Sequence, residues 1–152
     1  MRRAVGIELD EGRRFFVYDE KDHEKVQRSV MASHGRHRLW SVNFFGDEGD
    51  QNGRRHIGKV TAWACVYVYR DSAIVELDMG KPVRASKGTG SYSNAGQYVP
   101  DRRIYPHDAR ITHDQAGLFV AEFLATAELP TSIEWQVPTG TVARAPFGRT
   151  LP

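Results

Sequence analysis

The sequence predicts an α+β domain: a single, mainly antiparallel sheet, a meander, with two helices packed against it. Three observations carry this expectation. From Val60 to Tyr69, small aliphatics (Val60, Ala62, Ala64, Val66, Val68) alternate with Thr61, Trp63, Cys65, Tyr67 and Tyr69, the period-two pattern of a strand covered on both faces. From Thr112 to Thr126, Ala116, Phe119, Val120, Phe123 and Leu124 recur at helical spacing. The order of elements is strands, helix, an antiparallel run, helix, strand, which builds helices onto one sheet.

Arg3 to Leu9 and Arg14 to Tyr18 are β-branched or aromatic runs bridged by Asp10-Glu11-Gly12, a hairpin signal. Asp22 to His34 places Val26, Val30 and Met31 on one helical face, with Gly35 positioned to end the helix. Leu39 to Phe45 reads as a strand, and the glycines, Asp and Asn of residues 46–53 favour a loop. After the Val60–Tyr69 strand, Arg70-Asp71-Ser72 forms a short turn. Ala73 to Met79 then returns with Ile74, Glu76 and Asp78 on one face and Ala73, Val75, Leu77 and Met79 on the other. Residues 80–108 are rich in turn formers and predict one or two short strands between exposed loops. Thr112 and Gln115 form a capping box, Asp114 suits the positive end of the helix dipole, and Gly117 weakens the helix by up to about 1 kcal/mol unless packing offsets it. Leu129-Pro130 stops the helix, and Ser132 to Val137 returns as a strand. Residues 1–137 are expected to form the domain and residues 138–152, rich in Thr, Gly, Pro and Arg, a flexible tail.

The 152 residues fit one domain of ordinary size. Cys65 is the single cysteine, so intramolecular disulfides, CxxC redox pairs and thiolate zinc cages are excluded, which fits a reducing compartment. No apolar run approaches the roughly 18 residues of a membrane span, and Glu8 and Asp10 interrupt the N-terminus before a signal-peptide core develops. A cytoplasmic protein that avoids membranes is expected. The net charge of +2 conceals an uneven distribution: residues 1–50 sum to −1, residues 51–110 to +5 and residues 111–152 to −2. The basic residues of the middle segment are scattered without a dense run, as on a solvated surface.

No enzymatic constellation emerges, and no cofactor is implied. The six histidines form no HExxH or comparable ligand pattern; His34 and His37 are the only close pair, at a helix terminus where the dipole accounts for a histidine without a metal. Cys65, mid-strand between Ala64 and Val66, reads as a buried core thiol. Lys87-Gly88-Thr89-Gly90-Ser91 resembles part of a phosphate-cradling loop but lacks the P-loop spacing and a following helix. Glu76 and Asp78 share a strand face on which ordinary solvent exposure is the simpler expectation.

Two features suit binding. Ser91, Tyr92 and Asn94, with Tyr98, combine tyrosine with small polar residues, as interfaces do, and equally fit a hairpin packed on the sheet. Asp47, Glu48 and Asp50 cluster negative charge that could steer a basic partner or simply face solvent.

The residues Ile111 to Ala116, Val120 to Thr126 and Pro130 to Gln136 resemble the ending of bacterial polymorphic-toxin immunity proteins, of the family often encoded beside nucleic-acid deaminase toxins. In that family a helix ending in Phe-Leu-x-Thr-Gly leads through a proline into a strand bearing Val/Ile-x-Trp; here Ala127 stands where the glycine is usual. Phe119, Phe123, Leu124, Ile133 and Trp135, with Trp63 and Cys65, are expected to be structural. The resemblance implies a non-catalytic inhibitor that pairs with a cognate toxin domain as a heterodimer, covers its active-site cleft and has no nucleic-acid contact of its own. A basic, polynucleotide-binding cleft would make Asp47, Glu48 and Asp50 contacts, with Tyr92 and Tyr98 as anchors. The competing reading is a nucleic-acid-binding module that stacks bases on Tyr67, Tyr69, Tyr92 and Tyr98. An enzymatic site assembled from distant segments is a third reading, for which no residues can be nominated.

Overall fold

The structure is a computed structural model that describes residues 2–45, 56–80, 82–89, 105 and 108–137. The Asp10-Glu11-Gly12 turn, closed by the Gly12 N–H on the Leu9 carbonyl at 2.8 Å, folds β1 (Arg2–Glu8) onto β2 (Arg14–Val17). Helix α1 (His23–Ala32) follows a single 3₁₀ turn. It ends sooner than its periodicity implies, because Ser33 is already extended and Gly35 opens the next strand. That strand, β3 (Gly35–Phe45), pairs with β4 (His56–Val68), β4 with β5 (Ala73–Asp78), and β5 with β6 (Arg84–Lys87). Helix α2 (His113–Thr126) leads to β7 (Glu134–Gln136), which pairs with β6. The result is one seven-stranded sheet in the order β2-β1-β3-β4-β5-β6-β7, with each of these pairings antiparallel. This is the α+β meander that the sequence predicts. The strands β3 and β4 start four residues earlier than their apolar runs, since each extends the other's ladder of hydrogen bonds.

Both helices lie on one face. Val5, Ile7, Leu39, Ala62, Ala64, Val66, Val75 and Leu77 share a core with Val26 and Val30 of α1 and with Phe119, Val120, Phe123 and Leu124 of α2. The helices touch each other where Gln27 Nε2 donates to the Gly117 carbonyl at 2.7 Å, so the glycine that weakens α2 locally gives α1 its close contact. Trp135 packs edge-on against Phe119, with centroids 5.7 Å apart, and its indole N–H reaches the Pro130 carbonyl at 2.8 Å.

Both ends of α2 are capped. The capping box is complete: the Gln115 N–H donates to Thr112 Oγ1 at 3.1 Å and the Thr112 N–H to Gln115 Oε1 at 2.9 Å. His113 and Arg110 tie this end to the β4–β5 turn. His113 Nε2 lies 2.7 Å from the Tyr69 carbonyl, Arg110 Nη1 donates to Ser72 Oγ at 2.9 Å, and the Arg110 guanidinium sits 4.2 Å over the Tyr69 ring. At the other end, Arg3 Nη2 donates to the Leu124 and Ala125 carbonyls at 3.0 and 2.8 Å, placing positive charge at the negative end of the dipole. Ala127 closes the helix in the left-handed region, at φ 53° and ψ 24°, where glycine is the ordinary occupant.

The backbone relief of glycine at Ala127, about 1 kcal/mol, opposes the loss of a buried methyl worth about 0.8 kcal/mol. Ala127→Gly is therefore expected to change stability by less than about 0.5 kcal/mol, whereas Ala125→Gly, at an exposed helical position, costs about 1 kcal/mol. Urea unfolding of the two variants measures the contrast; equal losses would mean that the left-handed cap carries no strain.

His37 is fully buried at the helix-facing side of β3. Its Nδ1 accepts from the Asp10 N–H at 3.1 Å and its Nε2 lies 2.6 Å from the Ser33 carbonyl, an arrangement met by the neutral Nε2–H tautomer. Burial lowers the His37 pKa, against the opposing pull of the Ser33 carbonyl and of Asp10 and Glu11. The unfolded chain thus takes up this proton more readily than the folded one. The His37 contribution is fully present above the ordinary histidine pKa of about 6.5 and is lost as pH falls below it. His37→Gln should be less stable than the parent at pH 7, and the gap between them should narrow on acidification to pH 5; a gap independent of pH would rule out this linkage.

Candidate partner-binding face

Strand alternation sends one side chain of each neighbouring pair to the helices and the next to the opposite face, and the register of the sheet aligns the latter in rows. One row runs Phe16, Gly6, Trp40, Trp63, Asp78 across β2, β1, β3, β4 and β5. The adjacent row runs Arg14, Glu8, Arg38, Cys65, Glu76, Ala85 across β2 to β6. Beyond the aromatic row, Ala4, Val42, Val60 and Tyr18 form a small apolar cluster that Trp40 also joins.

The aromatic row is continuous. Trp40 and Trp63 stack with centroids 5.5 Å apart and planes 29° from parallel, and Phe16 meets Trp40 edge-on at 6.1 Å. Gly6 makes this possible: a Cβ at that position would overlap the indole of Trp40, which lies flat across β1 to reach Phe16. Trp63 is 46% exposed and Phe16 39%, since no helix of the described residues lies over them. In the charged row, Glu8 binds both Arg14 and Arg38, the latter at 3.6 Å.

At the other end of this face the chain covers itself. Tyr105 lies edge-on against Tyr67 at 5.9 Å and packs with Ile74, Ala85 and Ala109. Its hydroxyl donates to Glu76, which is buried as a result. Between the covered and open ends lies a cavity of about 450 Å³ lined by Arg36, Arg38, Trp63, Cys65, Glu76 and Asp78.

Several sequence expectations change here. Trp63 was expected beneath a covering layer and is an exposed member of the aromatic row. Cys65 is half-buried at the cavity and outside the helix-facing core, because it points to the face opposite α1 and α2. Glu76 is enclosed because Tyr105 folds over it, while Asp78 is exposed. Gly88 does not cradle an anion: its N–H donates to the Asp108 carbonyl at 2.6 Å, and a Cβ there would collide with the Arg110 carbonyl. Phe119, Phe123, Leu124 and Ile133 are buried, with Trp135 packed against the same cluster. Asp47, Glu48, Asp50, Ser91, Tyr92, Asn94 and Tyr98 lie outside the described residues. Among the described residues no group of three or more His, Cys, Asp or Glu could hold a metal ion, and no helix is long and apolar enough to cross a membrane.

Residues 14–137 match the family model of immunity protein Imm1. The chain belongs to the Imm1 immunity protein family. The match starts with β2 and runs through β7, so it takes in both tryptophans of the open face and both helices. An Imm1 protein is an immunity protein for a bacterial toxin, so this chain has a cognate toxin as its partner. None of the curated proteins matches the sequence. Sequence reasoning missed Phe16 and Trp40 of this Imm1 chain as surface residues; the available signal was Gly6, a small residue within a β-branched strand that leaves room for a large cross-strand neighbour.

Gly6→Ala should displace the Trp40 indole and cost about 1–3 kcal/mol, as overpacking does. The tryptophan emission of the folded variant should move to longer wavelength. An unchanged spectrum and stability would show that Trp40 does not depend on the glycine.

Proposed function

We propose that this Imm1 protein neutralises a toxin of the nucleic-acid deaminase class by covering its active-site cleft, without catalysis, and that the face of the sheet opposite α1 and α2 is its docking surface. The observation that carries the docking surface is the pre-stacked row Phe16, Trp40, Trp63, with Phe16 and Trp63 exposed and Trp40 half-buried between them. Tryptophan, tyrosine and arginine dominate binding hot spots, and this face sets the aromatic row beside Arg14, Arg36 and Arg38. Rings already held by their neighbours lose little rotamer freedom on binding. The deaminase class rests on the resemblance of the C-terminal third. A cleft that holds polynucleotide is basic, and Asp47, Glu48 and Asp50 would complement it, with Ser91, Tyr92, Asn94 and Tyr98 as further contacts. The nucleic-acid-binding alternative is weakened because Tyr67 is buried against Tyr105 and Tyr69 lies under Arg110, so neither offers a free stacking face.

The test is to purify the toxin domain encoded beside this chain and follow base deamination in single-stranded DNA and RNA while the immunity protein is titrated. Activity should fall to zero at one equivalent, with inhibition relieved by excess oligonucleotide. Tight binding that leaves deamination intact would overturn cleft occlusion; a toxin of another chemistry would overturn the deaminase assignment. Phe16→Ala and Trp63→Ala should each weaken binding by about 2 kcal/mol, roughly thirtyfold. Calorimetric titration measures this, and wild-type affinity in both variants would place the interface elsewhere.

A further inference from the structure

We propose that the cavity between Trp63 and Asp78 receives a basic side chain, an arginine or lysine, projecting from the toxin. This rests on the docking face argued above and names the group that enters it. Trp63 and Asp78 are directly opposed across β4 and β5, at the end of the aromatic row. Trp40 stacks against Trp63 from the β3 side, and towards β5 the exposed indole borders the cavity. An aromatic plate with a carboxylate beside it is what a cation seeks: the ring quadrupole attracts the charge and the carboxylate neutralises it.

The charges around the cavity decide which sign it takes. Arg36 and Arg38 bring two positive charges to the lining and Glu76 and Asp78 two negative ones; Arg36 has contacts of its own, Arg38 is held by Glu8, which Arg14 also contacts, and Glu76 accepts from the Tyr105 hydroxyl. Asp78 differs from these. Its described contact is the Gly80 N–H on Oδ1 at 3.0 Å, and no cation among the described residues pairs with it. The exposed carboxylate of this rim therefore has an oxygen to offer a partner, and Cys65, small between Arg38 and Glu76 in its row, leaves the depression that admits the side chain. A basic knob also suits a toxin surface built to hold polyanions.

The experiment measures the dissociation constant of the toxin domain encoded beside this chain for the parent protein and for Phe16→Ala, Asp78→Asn and Asp78→Lys, at low and high salt. Asparagine keeps the acceptor for the Gly80 N–H and removes only the charge. Asp78→Asn should weaken binding about tenfold, with the loss shrinking at high salt, and Asp78→Lys by about a hundredfold or more. The Cys65 thiol should react with N-ethylmaleimide in the free protein and be protected in the complex, and prior alkylation should weaken binding. If Phe16→Ala weakens binding while both Asp78 variants bind as the parent does, the basic-knob proposal fails and the docking face stands. Tighter binding by Asp78→Lys would mean that the cavity takes an acidic group, and also overturns it. If Phe16→Ala is neutral as well, the docking face fails and the proposal falls with it.

Discussion

Along β4 the side chains that face the helices are small, Ala62, Ala64, Val66 and Val68, while those facing away include Trp63 and Tyr67, with Tyr69 just past the strand's end. The rest of the molecule follows from that asymmetry. Small residues on one side let α1 and α2 bring Val30, Phe119, Phe123 and Leu124 into the same core as the strand, with large side chains of the helices filling what the strand leaves empty. The large residues on the other side need cover that two helices on the opposite face cannot supply. At one end Tyr105 folds over Tyr67 and Ile74. At the other end, among the described residues, cover comes from neighbouring strands, and the rings of Phe16, Trp40 and Trp63 shield one another edge to edge and face to face while staying partly in water.

Because these rings stand on paired strands, their spacing is set by backbone register. Trp40 is fixed between Gly6 and Trp63 by two ladders, one to β1 and one to β4. A surface of that kind reaches its partner already ordered, so little of the contact energy is lost to immobilising side chains. The neighbouring row is charged. One carboxylate, Glu8, holds the two guanidinium groups of Arg14 and Arg38, while Asp78 stands at the far end of the aromatic row with the Gly80 N–H on it.

What was legible in the sequence is what local chemistry determines. The alternation of β4, the capping box at Thr112 and the turn after Leu9 each depend on residues a few positions apart, and each is present in the structure. Less legible was anything that depends on which face of the sheet remains open. Trp63 and Cys65 alternate as a covered strand would, and nothing near them in sequence says that both helices lie on the other side. Glu76 is enclosed by Tyr105, 29 residues away, and Gly88 is glycine because the Arg110 carbonyl crosses it. Short strands such as β6 and β7 carry too few residues for a period to emerge, and they exist because longer neighbours offer them a ladder.

The open face gathers Cys65, Glu76, Asp78, Arg36 and Arg38 around one cavity, residue types that elsewhere perform catalysis. A thiol nucleophile requires a base or a thiolate-stabilising partner poised against it. Two of the described histidines are committed elsewhere: His37 is buried on the opposite side of β3 with both ring nitrogens bound to the backbone, and His113 is bound to carbonyls at the start of α2. Glu76 is engaged by Tyr105 and Arg38 by Glu8, contacts that hold these groups in place. What remains for an incoming group is an indole plate, a carboxylate at its rim and a row of aromatic surface beside them. Those are the elements of a binding pocket, as the proposed basic side chain of the toxin requires.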